Sequence, residues 1–243
     1  MKRFSGNNVE VPKMMLAKSL TMKKITILGT TGSGKTTLLE TLFGDIEKND
    51  VARQIFKEVS NNLDFTPLKY NDFTNSTTTI SLNIVNSVIV LTRFNKVIVK
   101  KYKDFESIDF ESIDEAFNVV FNDPAGQERF DFMQDIAIKG ADLIIIMADG
   151  TNISSMEKIT HFLSMVSMEE QRKNRKIPVI VFINKSDLKE KGIYLGQEVA
   201  ERIVFSSVID REIVFYETSN LDARCYEIPL TIIFNYLSMQ VYT

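Results

Sequence analysis

Little in this chain points to chemistry built on sulfur or imidazole. Cysteine occurs once, at Cys225, and histidine once, at His161, in 243 residues. A single thiol closes no internal disulfide, and one thiol with one imidazole makes no His/Cys metal cluster. A Ser-His-Asp centre would have to use His161, which sits in a helical pattern suited to a surface or packing role. Neither sign of charge dominates: 29 Lys and Arg face 32 Asp and Glu, for a net charge of −3. No overall basic field therefore favours nucleic acid. The longest apolar runs, Leu143 to Ala148 and Val179 to Ile183, are too short to span a bilayer. No signal-peptide pattern is evident, Lys2 stands where a myristoylated glycine would, and the last four residues hold no cysteine. The expectation is a cytoplasmic protein without an integral membrane segment, peripheral association being left open. What remains is ordinary globular material, 44% apolar and 25% charged, long enough to bury a core.

Against that background one stretch stands out: Gly29-Thr30-Thr31-Gly32-Ser33-Gly34-Lys35-Thr36. It follows the apolar run Ile25-Thr26-Ile27-Leu28 and precedes the helix-forming run Thr37 to Leu42. Strand, glycine-rich turn and helix are the context in which G-x-x-x-x-G-K-[ST] marks a phosphate loop. Successive N–H groups in such a turn form a concave anion site, at the positive end of the following helix. The pattern arises by chance in roughly one chain in a hundred of this length. Lys35 is placed to reach β- and γ-phosphates and Thr36 to ligate Mg²⁺. Gly32, Ser33, Gly34, Lys35, Thr36 and Thr37 are the expected phosphate-binding residues.

Elsewhere strands alternate with helices. Strands are expected over Lys23 to Leu28, Ile80 to Leu91, Phe94 to Val99, Phe117 to Asn122, Leu143 to Ala148, Ile177 to Ile183 and Ile213 to Tyr216. Helices are expected over Asp50 to Leu63, Phe130 to Lys139, Ser154 to Lys173, Gly196 to Phe205 and Tyr226 to Gln240. Ser154 and Glu157 have capping-box spacing, and Pro229 falls in the first turn of the last helix. Such alternation implies an α/β domain with a mostly parallel sheet covered on both faces. Residues 1–22 form an N-terminal extension, read either as an amphipathic docking helix or as a loose segment ahead of Met22. Phe65 to Ser76 reads as a mobile polar loop. The tandem Asp104-Phe105-Glu106-Ser107-Ile108, Asp109-Phe110-Glu111-Ser112-Ile113 reads as an insertion at an exposed loop tip or as an acidic docking site.

The loop alone does not choose between ATP and GTP, and by itself it looks more like those of ABC-type and secretion ATPases. Three later segments choose. Asp123-Pro124-Ala125-Gly126-Gln127-Glu128 follows a strand, so the Asp123 carboxylate suits a water-held Mg²⁺ beside the phosphate loop. Gly126 brings an N–H to the γ-phosphate, and Gln127 orients an attacking water. Asn184-Lys185-Ser186-Asp187 follows the next-but-one strand. The Asp187 carboxylate accepts both the ring N–H and the 2-amino N–H of guanine, whereas adenine has no 2-amino group. Asn184 bonds the base edge, and the Lys185 stem lies against the ring. Finally Glu217-Thr218-Ser219 places backbone N–H groups of Ser219 and Asn220 near the guanine carbonyl.

These four segments, in this order, resemble the Ras-like small GTPases from about Lys23 to the C-terminus. Thr77-Thr78-Thr79-Ile80 and Gln127-Glu128-Arg129-Phe130-Asp131-Phe132-Met133 look most like the prokaryotic, MglA-like members. The resemblance implies a P-loop NTPase fold: a three-layer sandwich with a mostly parallel six-stranded sheet, one strand antiparallel, here with an extended hairpin insertion. It implies a domain over 23–243 with insertions around 45–76 and 92–116, and a Mg²⁺-dependent switch that binds GTP and GDP and hydrolyses GTP. Gln127 and Lys35 would be its catalytic residues, and Thr36, Thr79 (or Thr78) and Asp123 would hold the metal. Activating, exchange and effector proteins would be its partners. Thr31 stands where such loops usually carry glycine, which implies slow unaided hydrolysis. A GTP-binding scaffold with little turnover and a P-loop ATPase are the rival readings.

Overall fold

The structure, a computed structural model, describes residues 22–43, 83–94, 97–101, 113–124, 131–207, 211–221 and 224–239. Its central strand, β1 (Met22–Gly29), shows why the sheet is covered on both faces. Side chains alternate across a strand, and here Ile25 and Ile27 enter one core while Leu28 enters the other. The same division holds for β5 (Leu143–Asp149) and β6 (Val179–Asn184): Ile145 and Phe182 face one way, Ile146 and Val181 the other. Continuous apolar runs are what a strand buried on both sides requires. Each such aliphatic side chain contributes about 1.5–3 kcal/mol on burial.

The first core is closed by α1 (Lys35–Phe43) and α5 (Arg224–Met239), through Leu38, Leu42, Ile233 and Leu237. The second is closed by α2 (Asp131–Ile138), α3 (Ile153–Lys173) and α4 (Gln197–Ser206), through Ile138, Ile159, Leu163 and Val204. Between them the sheet runs β3-β2-β4-β1-β5-β6-β7, where β2 is Asn83–Thr92, β3 Val97–Lys101, β4 Ile113–Asp123 and β7 Val214–Glu217. Strands β4, β1, β5, β6 and β7 are parallel, and β2 runs against its neighbours. That is the expected six-stranded, mostly parallel sheet with one antiparallel strand. The hairpin insertion supplies β3 as a seventh strand at the edge, Leu91 opposite Val97 and Ser87 opposite Lys101.

Two local expectations shift. The helix α3 is capped by Asn152, not by Ser154: Asn152 Oδ1 accepts from the Ser154 N–H at 3.0 Å, so the serine lies inside the first turn. The last helix begins at Arg224, which moves Pro229 from the first turn into the body of α5. Strands β3 and β4 flank β2 and run the same way. Apart from Ile113, where β4 begins, the acidic tandem lies outside the described residues, as do residues 1–21, the helix expected over 50–63 and the loop 65–76. His161 is exposed on α3, its ring 5.6 Å from that of Phe162. No helix among the described residues is long and apolar enough to cross a membrane.

Candidate functional site

Strands β1, β4, β5, β6 and β7 all end at one edge of the sheet, and the described turns after β1, β5, β6 and β7 share one surface. The turn between β1 and α1 holds the phosphate-loop residues. Lys35, 6% exposed, folds its ammonium back to donate to the Gly29 carbonyl at 2.8 Å and the Thr30 carbonyl at 3.0 Å. Burial holds that ammonium below the ordinary lysine range, against the pull of the Asp123 carboxylate. A cation kept partly desolvated beside exposed Gly32 is suited to an anionic group arriving over the loop.

Asp123, fully buried at the end of β4, accepts from Thr36 Oγ1 at 2.8 Å. One hydroxyl and one carboxylate oxygen thus meet at the foot of α1. Both are hard donors, a set that fits Mg²⁺, which takes few protein oxygens and completes its shell with water and phosphate. Among the described residues no group of three or more His, Cys, Asp and Glu side chains gathers to hold a metal unaided.

The second half of the surface is built by the turns after β6 and β7. Lys185 takes a left-handed conformation, φ 70°, and starts a short 3₁₀ helix, Ser186–Lys191, that carries Asp187 in its first turn. Asp187 is exposed and one of its oxygens accepts from Ser219 Oγ. The backbone links the two turns as well: Thr218 N–H donates to the Ile183 carbonyl at 2.9 Å and Ser186 N–H to the Thr218 carbonyl at 3.0 Å.

The two halves are bolted together at Gly34. Asn184 Nδ2 donates to the Ser33 carbonyl at 2.9 Å, and Asn220 Nδ2 to the Gly34 carbonyl at 2.8 Å. Gly34 has φ +99°, and a Cβ there would press on both amide nitrogens. Its glycine is therefore required by the two asparagines in addition to any approach of phosphate.

Residues 83–237, well over half of the chain, match the model of the Ras family. The chain belongs to the Ras family. Membership carries the class of activity, that of a GTP-binding small GTPase switch with a P-loop NTPase fold, working with nucleotide and protein partners. The match begins after the phosphate loop, so the β1–α1 turn is a second, separate line of argument. No curated protein matches the chain closely.

Of the expected site residues, Gly32, Ser33, Gly34, Lys35, Thr36, Thr37, Asp123, Asn184, Lys185, Asp187, Ser219 and Asn220 come to this one edge. Thr79, Thr78, Gly126 and Gln127 lie outside the described residues. Asn220, expected only to offer a backbone N–H, also braces the phosphate loop with its side chain. Sequence reasoning missed Asp149, Ser155 and Tyr194 altogether. Lys185 Nζ is ion-paired with Asp149 at the end of β5, and Thr151 donates to the same carboxylate through N at 2.9 Å and Oγ1 at 2.7 Å. Burial pushes the Asp149 carboxyl up, but these hydrogen bonds win and hold it below its ordinary value. A carboxylate directly after an apolar strand, the signal that picked out Asp123, was present at Asp149 too. Tyr194 Oη donates to the Ile183 carbonyl at 2.9 Å, just before Asn184; burial, with Glu217 nearby, raises this phenol above the ordinary range.

Proposed function

We propose that this Ras-family chain binds Mg²⁺-GTP across the surface bolted at Gly34 and hydrolyses it slowly to GDP and phosphate. The observation that carries this reading is the pair of amide bonds from Asn184 and Asn220 to the Ser33 and Gly34 carbonyls. They hold a phosphate cradle and a guanine-complementary loop in one rigid piece, the span a nucleoside triphosphate needs. Asp187 accepts the two guanine amino-side hydrogens, Lys185 lies along the ring, and the N–H groups of Ser219 and Asn220 face the carbonyl. Lys35 and the N–H groups of Gly32 to Thr37 hold the phosphates. Thr36, Asp123 (through water) and Thr79 (or Thr78) would hold Mg²⁺, which would supply charge neutralisation for the phosphates.

Gln127 orients a water that attacks the γ-phosphorus as the bond to the β–γ bridging oxygen breaks, and the Gly126 N–H meets the γ-phosphate. Lys35 stabilises the charge left on the bridging oxygen. Thr31, exposed at the loop tip, crowds the water-side approach, so turnover is slow until a partner supplies the missing group. Loss of the γ-phosphate releases residues 65–80 and 126–140, and effectors read the difference. By pattern the chain sits nearest the prokaryotic members of the family, acting in the cytoplasm.

Thr31 also favours a second reading, a GTP-holding scaffold with scarcely any hydrolysis. Fluorescent GDP and ATP binding, with and without Mg²⁺, together with phosphate release over time, separates the possibilities. Tight guanine binding with slow phosphate release is expected. Equal or better adenine binding would overturn the reading, and guanine binding with no release favours the scaffold.

A further inference from the structure

The phosphate loop and the guanine loop are joined a second time, through a residue that belongs to neither. Ser155, 4% exposed in the first turn of α3, accepts the Asp149 N–H through Oγ at 2.9 Å. The same oxygen lies 2.7 Å from Thr30 Oγ1, one of the two hydroxyls donating to the other. Each end continues to a lysine. The Thr30 carbonyl accepts from Lys35 Nζ at 3.0 Å, and the Asp149 carboxylate is ion-paired with Lys185. A single buried hydroxyl thus stands between the ammonium that grips phosphate and the ammonium that backs the base.

We infer that Ser155 is a positioning residue that keeps Thr30 and Lys35 in register with Asp149 and Lys185, so that phosphate and base contacts form together. This rests on the guanine-nucleotide reading above. Without the Ser155 hydroxyl, Thr30 loses the only side-chain anchor the described hydrogen bonds give it, and the carbonyl that orients Lys35 loosens. The loss falls on nucleotides whose β-phosphate reaches Lys35.

The test is GDP release and affinity for GDP and GMP in wild type, Ser155→Ala, Thr30→Val, the double variant and Thr30→Ser. Ser155→Ala and Thr30→Val should each speed GDP release about three- to tenfold, the range of one hydrogen bond. The double variant should be no faster than the faster single one, because both remove the same contact. The preference for GDP over GMP should shrink by a similar factor, and Thr30→Ser, which keeps the hydroxyl, should rescue both. Additive effects, or equal weakening of GDP and GMP, would mean that Ser155 merely packs α3 and would overturn the inference. So would release unchanged in both single variants of a chain that holds GDP. A wild-type chain that retains no guanine nucleotide overturns the functional reading and this inference with it.

Discussion

Asn184 and Ser33 are 151 positions apart in the chain, yet the side-chain amide of the first donates to the backbone carbonyl of the second at 2.9 Å. Asn184 is also the residue at which β6 ends and the guanine loop begins. The bond therefore ties the position of the base to the position of the phosphates. Gly34 is next in the chain, and a Cβ there would meet the side-chain amides of both Asn184 and Asn220.

A methyl group at position 34 should break that arrangement. Gly34→Ala adds left-handed backbone strain of about 1–2 kcal/mol and overpacking of about 1–3 kcal/mol. GDP affinity should fall at least about 30-fold, since 1.4 kcal/mol is a factor of ten. Isothermal titration measures it; an affinity within threefold of wild type would show that the asparagines do not constrain the loop.

Guanine specificity should rest on the charge at position 187. Asp187→Asn exchanges an acceptor oxygen for a donor, which loses one or both bonds to the amino-side hydrogens of guanine. Hydrogen bonds to charged groups contribute about 1.5–3 kcal/mol each, so GDP affinity should drop about 100-fold. Xanthosine diphosphate, with a carbonyl in place of the 2-amino group, should gain affinity. Competition between the two nucleotides reads the exchange, and a variant that still prefers guanine would refute the assignment.

The Asp149 carboxyl predicts a specific acid sensitivity. Its ordinary value is 3.8 and the fold holds it lower, so the unfolded chain takes up the proton first as pH falls. The stabilisation of the charged form is complete above about pH 4 and is lost as acid carries the pH down through the folded value. Wild type should be more stable than Asp149→Asn at pH 6, and the gap should narrow toward pH 3. Thermal melts across that range check it; a gap independent of pH would show that the ion pair with Lys185 does not couple to folding.

Hydrolysis should be limited by the side chain at position 31. Thr31→Gly clears the loop tip and should speed unaided single-turnover hydrolysis about three- to tenfold, equivalent to a barrier lower by roughly 0.7–1.4 kcal/mol. GDP affinity should change little, because the Thr31 side chain stands exposed. Fast hydrolysis in wild type, unchanged by the substitution, would contradict the role given to this threonine.

The amino-acid sequence by itself determined the phosphate loop, the parallel sheet with its two covers and the order of the nucleotide segments. Each of these is local: eight consecutive residues make the loop, and a continuous apolar run makes a doubly buried strand. Even the helix after Thr151 was legible, though its cap moved to Asn152, because Ser154 and Asn152 compete for the same few N–H groups. Tertiary structure alone decided why Gly34 is glycine, what the Asn220 side chain does, and that Thr30, Ser155, Asp149 and Lys185 form one chain of contacts. It also decided that the hairpin strand β3 takes the outer edge and runs parallel to β4. Contacts such as Thr30 to Ser155 or Asn220 to Gly34 join residues 125 and 186 positions apart. No periodicity along the chain encodes such a pairing; it exists only once the strands lie side by side and their C-terminal turns share one surface.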